Sequence, residues 1–559
     1  MSEKILSPKT AFSAWIIYIS FMTFLLFTAY GGHYTLPIPV LEEHHPVSGK
    51  PQISEANIRR ITGYPSEDIG LRVSGAAQDA ETERYLFKEI EDIEEKARVE
   101  KARGAVGLPK IDTWIQVDDG SHQFDFMHEV FNGAEESFQD ASHSFIVNHE
   151  LKGSVRAVVN VEGSGSTGPE ILYQANAQIM IDAYKKAPYP HGTVLANDLF
   201  ATGIILSDTD FRIFRDHGNI TGIDMAVYKS SYVYHTQLDV NENMEAGLPQ
   251  HMGENVLAIV NHVANEADLQ EIPELVNDIV YFDFIGLFFV TYSIAIATKI
   301  HIALGLLAIV TLSLRASRPS IKSVLSILAS FLAALAGPLA MATLFVALGK
   351  PMQWFSHEWY PFMTFGPLSV ACSLAVQYVI HDSKANSGAN ELSVFSGLHV
   401  FFTVALGLAT YAGIASSFIL AMFSFSLTAA LLYNRSRVGA QKQVSGQAGH
   451  VEVTAVDFVS YLMASTLPTT YFASVAYSLI DILVPLTGRM GPSTPVDHIV
   501  ACLVGLVVFL TCPPLLAFAH RFGRPVLLKL ITALLVVQVP LILYTLVVLT
   551  PYDYMHPKR

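Results

Sequence analysis

Eight apolar stretches crowd the second half of this 559-residue chain, near residues 291–314, 324–348, 361–380, 394–412, 414–433, 456–484, 496–518 and 526–548. Each is close to the roughly 20 residues that a helix needs to cross a bilayer core. Inside lipid every backbone amide must be satisfied within its own segment or in a closed barrel, so such a series predicts a bundle of membrane helices. A ninth stretch, residues 11–30 (AFSAWIIYISFMTFLLFTAY), follows a start carrying Lys4 and Lys9. A cleaved signal peptide is the rival reading. The run is longer than a usual signal core and Gly31-Gly32-His33 is a poor cleavage site, so it reads as a retained anchor with residues 1–10 in the cytosol.

Basic residues orient the bundle. Arg315, Arg318 and Lys322 fall in one loop, Lys384 in the next but one, then Arg435, Arg437 and Lys442, then Arg521 and Arg524. If every segment spans, all four groups share the side of Lys4 and Lys9. That predicts a luminal domain over 31–280, eight helices over 281–550 and a luminal tail at 551–559. Lys299, His301, Asp457, Asp481 and Lys529 sit mostly near span ends, where snorkelling accounts for them, so a transport role rests only on the span count. Pro338, Pro367, Pro468 and Pro540 are expected to kink helices. Cys372, Cys502 and Cys512 all lie in apolar stretches and read as core residues, not as a disulfide framework. A net charge of -15 argues against nucleic acid as a partner, and 51% hydrophobic with 15% charged residues makes membrane lipid the expected surroundings.

Residues 40–270 have soluble character. Glu81 to Gly104 alternates charge at helical spacing, the pattern of a solvated helix face. Thr113 to Val117, Val155 to Val161 and Ser231 to Tyr234 read as strands with helical stretches between them, predicting an α/β domain with a mixed, mostly parallel central sheet and flanking helices.

Chemistry concentrates between Val130 and Gly168. Adjacent Glu135 and Glu136 follow a short apolar run, Glu162 follows the strand ending at Val161, and His235 follows Tyr232-Val233-Tyr234. Acidic residues just past strand ends are where an α/β sheet builds a reactive crevice. One carboxylate of a pair there can bind a metal while the other takes a proton from water. A lone Glu-Glu pair is usually solvated surface and a lone histidine usually core. The constellation is what points to a site. Asn219-Ile220-Thr221 is a glycosylation sequon on the expected luminal side, whereas Asn434-Arg435-Ser436 would face the cytosol.

FNGAEE, NVEGSGSTG, SDTDFRIF (207–214), YHTQLD and QHMGENVLAIVNHVA (250–264) occur in this order. With them the chain resembles the aminopeptidase-type di-zinc metallopeptidases, and within these the membrane-embedded endoplasmic reticulum metallopeptidase (Felix-ina) type, which has a vacuolar membrane protease relative. The resemblance implies two zinc ions, with Glu135 as general base, Glu136 and His235 as ligands of one zinc and Glu162 as ligand of the other. Asp208 and Asp210 would shape a substrate cleft, or serve as turn and cap residues. Peptides or proteins of the endoplasmic reticulum lumen are the implied substrates, with a vacuolar or lysosomal membrane as the alternative location. No particular protein partner is implied.

The same resemblance exposes a gap. The family places a His-x-Asp-Ser and a Gly-Ala-x-Asp-Asp segment ahead of the double glutamate, supplying one histidine and the aspartate that bridges the metals. Here TWIQVDDGSHQFDF runs through Met127-His128-Glu129 directly into VFNGAEE. Asp118, Asp119, His122 and His128 match neither segment, so the ligand set is incomplete and sheet strands are apparently missing. A splice form or incomplete gene model of an enzyme is the favoured explanation. A non-catalytic peptidase-like scaffold subunit of an endoplasmic reticulum membrane complex is the alternative. The family also continues beyond Pro557-Lys558-Arg559, so the C-terminus reads as truncated.

Overall fold

A computed structural model describes residues 8–50, 52–70, 76–102, 139–150, 152–201, 209–265, 278–313, 319–380, 387–445, 456–491 and 493–558. They form two compact units, one of residues 35–291 and one joining residues 1–34 to 292–559. Helix α1 (Pro8–Tyr34) belongs to the second unit.

The unit of residues 35–291 opens with α2 (Glu55–Gly63), whose N-cap Ser54 accepts from the Asn57 amide. Helix α3 (Ala77–Ala102) is the charged helix expected from residue 81 onward, and Arg60 pairs with its Glu89 at 2.7 Å. Then follow α4 (Asp140–Asn148), β1 (Ala157–Gly163), β2 (Ile171–Ala175), α5 (Gln178–Tyr184), α6 (Val194–Ala201), α7 (Asp210–Asp216) and β3 (Thr221–Val227). The unit closes with α8 (Leu248–Asn265) and β4 (Ile279–Asp283), and β5 (Phe289–Ser293) leads out of it. Strand β3 lies between β1 and β2, parallel to β1 from Ala157 opposite Thr221 to Gly163 opposite Val227, and antiparallel to β2 across a bulge at Leu172/Gln174. It is buried along its whole length, as a central strand covered on both faces must be. Ile146 of α4, Ile213 and Phe214 of α7, and Ile220 pack with Phe145, Val155 and Val158 on one side of this sheet.

The described sheet is thus mixed, with one parallel and one antiparallel pairing. Two strand expectations end differently. Thr113 to Val117 lies outside the described residues, and Ser231 to Tyr234 forms turns. Positive φ at Ser230 (57°) and His235 (55°) breaks the extended path at both ends of that run.

The second unit continues with α9 (Ile294–Ser313), α10 (Ile321–Ala347), α11 (Tyr360–Ile380), α12 (Ser387–Tyr411), α13 (Phe418–Ser445), α14 (Phe458–Leu486), α15 (Val496–Thr511), α16 (Leu515–Phe518) and α17 (Arg524–Val547). Eight helices among the described residues are long and apolar enough to cross a membrane, or nine if α15 and the segment Leu515–Arg521 count as one span bent by 68°. The bend follows from Pro513 and Pro514, which cannot continue the hydrogen-bond ladder of α15. Asp497, at the start of this pair, accepts from the Met352 amide (3.1 Å) and Trp354 Nε1 (2.9 Å). At its finish Arg521 Nη1 lies 3.5 Å from Glu391 Oε1 and donates to the Val456 carbonyl.

Polar side chains tie the helices together. Gln377 of α11 donates to Ser330 Oγ of α10 (2.8 Å) and pairs through Oε1 with His520 (2.9 Å). Tyr18 of α1 meets Ser465 of α14 at 3.2 Å. Asp457 caps α14, whereas Asp481 is fully buried and accepts from the Tyr34 hydroxyl at 2.5 Å, so packing and not snorkelling explains it. Asn434 is also buried, with Oδ1 accepting from the Asp457 amide.

Candidate active site

Glu162 occupies the penultimate position of β1, inside the strand and not beyond it, opposite Ala226 of β3. Asn160 stands two residues earlier, hence on the same face. Its Nδ2 donates to Glu162 Oε1 (2.9 Å) and to Asp224 Oδ1 (2.8 Å), the register partner in β3. Asp224 is fully buried and accepts at Oδ2 from the Thr209 hydroxyl and from Gln174 Nε2 (3.4 Å). Burial, then the charges of Asp224 and Glu162, push the Tyr173 phenol well above its ordinary range. Asn160 therefore holds one oxygen of Glu162, and Asp224 holds Asn160.

The turn after β1 is locked to the segment after β3. Ser166 donates its amide to the Lys229 carbonyl (3.0 Å), Thr167 and Ser230 hydroxyls meet at 2.7 Å, and the Gly168 amide donates to Glu245 Oε2 (2.8 Å). Gly165 lies so close that a Cβ there would come within 2.2 Å of the Lys229 carbonyl oxygen.

His235 sits in the turns beyond β3, its ring stacked on Tyr234 at 3.8 Å between centroids. Asp210 is in the first turn of α7 and accepts from the Ser142 hydroxyl of α4 (2.9 Å), the position of a helix-terminal residue. Asn219 is exposed with φ 51°, a conformation asparagine tolerates. Glu135, Glu136 and Asp208 lie outside the described residues.

Among the described residues no group of three His, Cys, Asp or Glu side chains is placed to hold a metal ion. Glu162 and His235 alone do not make such a site, so no catalytic step through a metal is derived from them. Asn160 and Asp224 escaped the sequence reading. The signal was a lone aspartate in the otherwise uncharged strand TGIDMAV, and an asparagine two residues before Glu162.

The family model described as peptidase family M28 matches residues 126–260. That for the endoplasmic reticulum metallopeptidase 1 TM domain matches residues 320–545. A Schizosaccharomyces pombe protein provisionally named endoplasmic reticulum metallopeptidase 1 is 29% identical over an aligned stretch of 615 residues, covering 94% of this chain and 70% of that protein. This stretch is longer than the chain itself, so the relative carries residues that this chain lacks. Human endoplasmic reticulum metallopeptidase 1 is 29% identical across 67% of this chain, which spans 42% of it. A vacuolar membrane protease of S. pombe is 34% identical over 139 residues, 24% of this chain and 16% of that protein. No solved structure matches.

Proposed function

Because this chain belongs to the membrane metallopeptidases of family M28, of the endoplasmic reticulum metallopeptidase kind, we propose that it hydrolyses peptides or proteins at the luminal face of the endoplasmic reticulum membrane. The M28 match carries the reading, since residues 126–260 take in Glu135, Glu136, Glu162, Asp208, Asp210, Asn219 and His235. A metal cofactor follows from the family. In this proposal the metal would be zinc, Glu136, Glu162 and His235 would be among the residues that hold it, and its chemistry when bound would be charge stabilisation at the scissile carbonyl. Glu135 takes the proton of the attacking water. Asn160 keeps one Glu162 oxygen engaged, which aims the other.

The proposed topology has the N-terminus cytosolic, residues 35–291 luminal and nine spans. Basic groups at Arg315 to Lys322, Lys384, Arg435 to Lys442 and Arg521/Arg524 support it, and so does the passage of the bent α15–α16 pair from Asp497 to Arg521.

The test is the zinc-to-protein ratio of the purified chain by elemental mass spectrometry, with peptidase activity measured in parallel. Bound zinc that falls in Glu136→Ala and His235→Ala, and activity lost in Glu135→Gln, are the expected results. A folded chain without zinc overturns the enzymatic reading and turns attention to a scaffold role.

A further inference from the structure

Outside the proposed ligand set, two histidines meet on the surface of the unit of residues 35–291. His143 lies in α4, and His217 follows α7 as its C-cap. Both are exposed, and their rings stand 5.0 Å apart between centroids with planes at 86°. The helices beneath them form a fixed platform. Ile146 of α4 packs with Ile213 and Phe214 of α7 and with Ile220, the Ser142 hydroxyl donates to Asp210 Oδ1 (2.9 Å), and Arg212 Nη2 donates to Gln139 Oε1 (2.8 Å). The histidine backbones are held as well, the His143 amide donating to the Gln139 carbonyl (3.1 Å) and the His217 amide to the Ile213 carbonyl (3.0 Å).

The ring separation is that of two imidazoles sharing one metal ion. With metal–nitrogen bonds of about 2.0–2.1 Å and roughly 1.2 Å from nitrogen to ring centre, a tetrahedral angle sets the centroids about 5.2 Å apart. The angle between the planes is no obstacle, because each ring can turn about its own metal–nitrogen axis. Both rings face water, so burial does not account for their meeting. The neighbouring carboxylate of Asp216 accepts from Arg215 Nε (2.7 Å) and Nη2 (3.2 Å), so it neutralises that guanidinium and is not counted as a ligand. We propose that His143 and His217 form a surface site for a nitrogen-preferring divalent ion of the zinc, copper or nickel class, with water completing its coordination. Such ions favour imidazole, whereas magnesium and calcium take oxygen ligands. Because α4 and α7 already hold the rings at chelating distance, the second nitrogen binds as an intramolecular event, and the pair is roughly 10²-fold tighter than either imidazole alone. The site uses neither Glu136, Glu162 nor His235, so it is independent of whether the chain is a peptidase.

Histidine modification by diethyl pyrocarbonate tests this, measured on the full chain in detergent against free zinc and read residue by residue by mass spectrometry. In the wild type, His143 and His217 should become protected together at one zinc midpoint, and magnesium should protect neither. His217→Gln should raise the midpoint for His143 about 10²-fold, and His143→Gln should do the same for His217. Separate midpoints in the wild type, or a shift of about tenfold or less in either variant, overturn the site. Should a variant fail to fold, the wild-type midpoints and the magnesium control decide alone.

Discussion

Replacing Asp224 by alanine removes the acceptor on which the centre of the β1–β3–β2 sheet converges. Asn160 Nδ2, at 2.8 Å, and the Thr209 hydroxyl lose a buried partner, and Gln174, at 3.4 Å, loses a weaker one. A hydrogen bond to a buried acceptor contributes about 1–3 kcal/mol depending on its charge, and stranded donors add a desolvation cost. About 3–5 kcal/mol for Asp224→Ala follows, equivalent to roughly 10²–10⁴-fold in the opening equilibrium. Exchange of the β3 amides in the intact chain measures this directly, because β3 is buried throughout. The exchanged pair Asn160→Asp/Asp224→Asn separates stability from positioning. It restores a donor and an acceptor across the register pair but sets a carboxylate beside Glu162, so exchange should recover while zinc binding does not. An Asp224→Ala protein whose β3 amides exchange within tenfold of wild type would refute the reasoning.

Gly165→Ala should release the turn after β1, because its methyl group would stand 2.2 Å from the Lys229 carbonyl oxygen; faster proteolysis of residues 163–168, at a cost of several kcal/mol, is the expected outcome. Asp497→Ala removes the acceptor for the Met352 amide and Trp354 Nε1; a fall of about 2–4 kcal/mol in the stability of that end of the bundle, with altered Trp354 emission, is expected. Asn219→Gln should abolish a glycosidase-sensitive shift in gel mobility, and a wild-type chain that shows no such shift after expression in microsomes would contradict the luminal placement of residues 35–291.

Apolar length made the membrane helices legible, because a span announces itself by composition alone. The expected stretch 361–380 and α11 (Tyr360–Ile380) differ by a single residue at one end. The same holds for α3, whose charge alternation can only be solvated helix. Strands were harder. β1 emerged because Val155 to Val161 is rich in valine despite Arg156 and Asn160, but β3 stayed hidden, since Thr-Gly-Ile-Asp-Met-Ala-Val sets a glycine and a charged Asp224 inside a strand that is buried throughout. Its place in the sheet depends on long-range contacts, with Gly222 letting Val158 approach, and on Asp224 meeting Asn160 across 64 positions. Ser231 to Tyr234 has strand composition, yet positive φ on both sides turns it into a loop whose Tyr232 and Val233 are buried by tertiary contact.

The bent pair shows why counting segments is insufficient to orient such a bundle. Residues 496–518 have the composition of one span, but Pro513-Pro514 divides them, and a sharply bent pair could also dip into the bilayer and return. Returning would leave Arg521 beside Asp497 and Met352, on the side opposite the other basic loops. Instead Arg521 lies by Glu391 and Val456, at the starts of α12 and α14, which is the placement that the proposed crossing requires. Reversing Arg521 and Arg524 to glutamate would weaken the bias while also setting a carboxylate against Glu391, so helix insertion and packing should fail together.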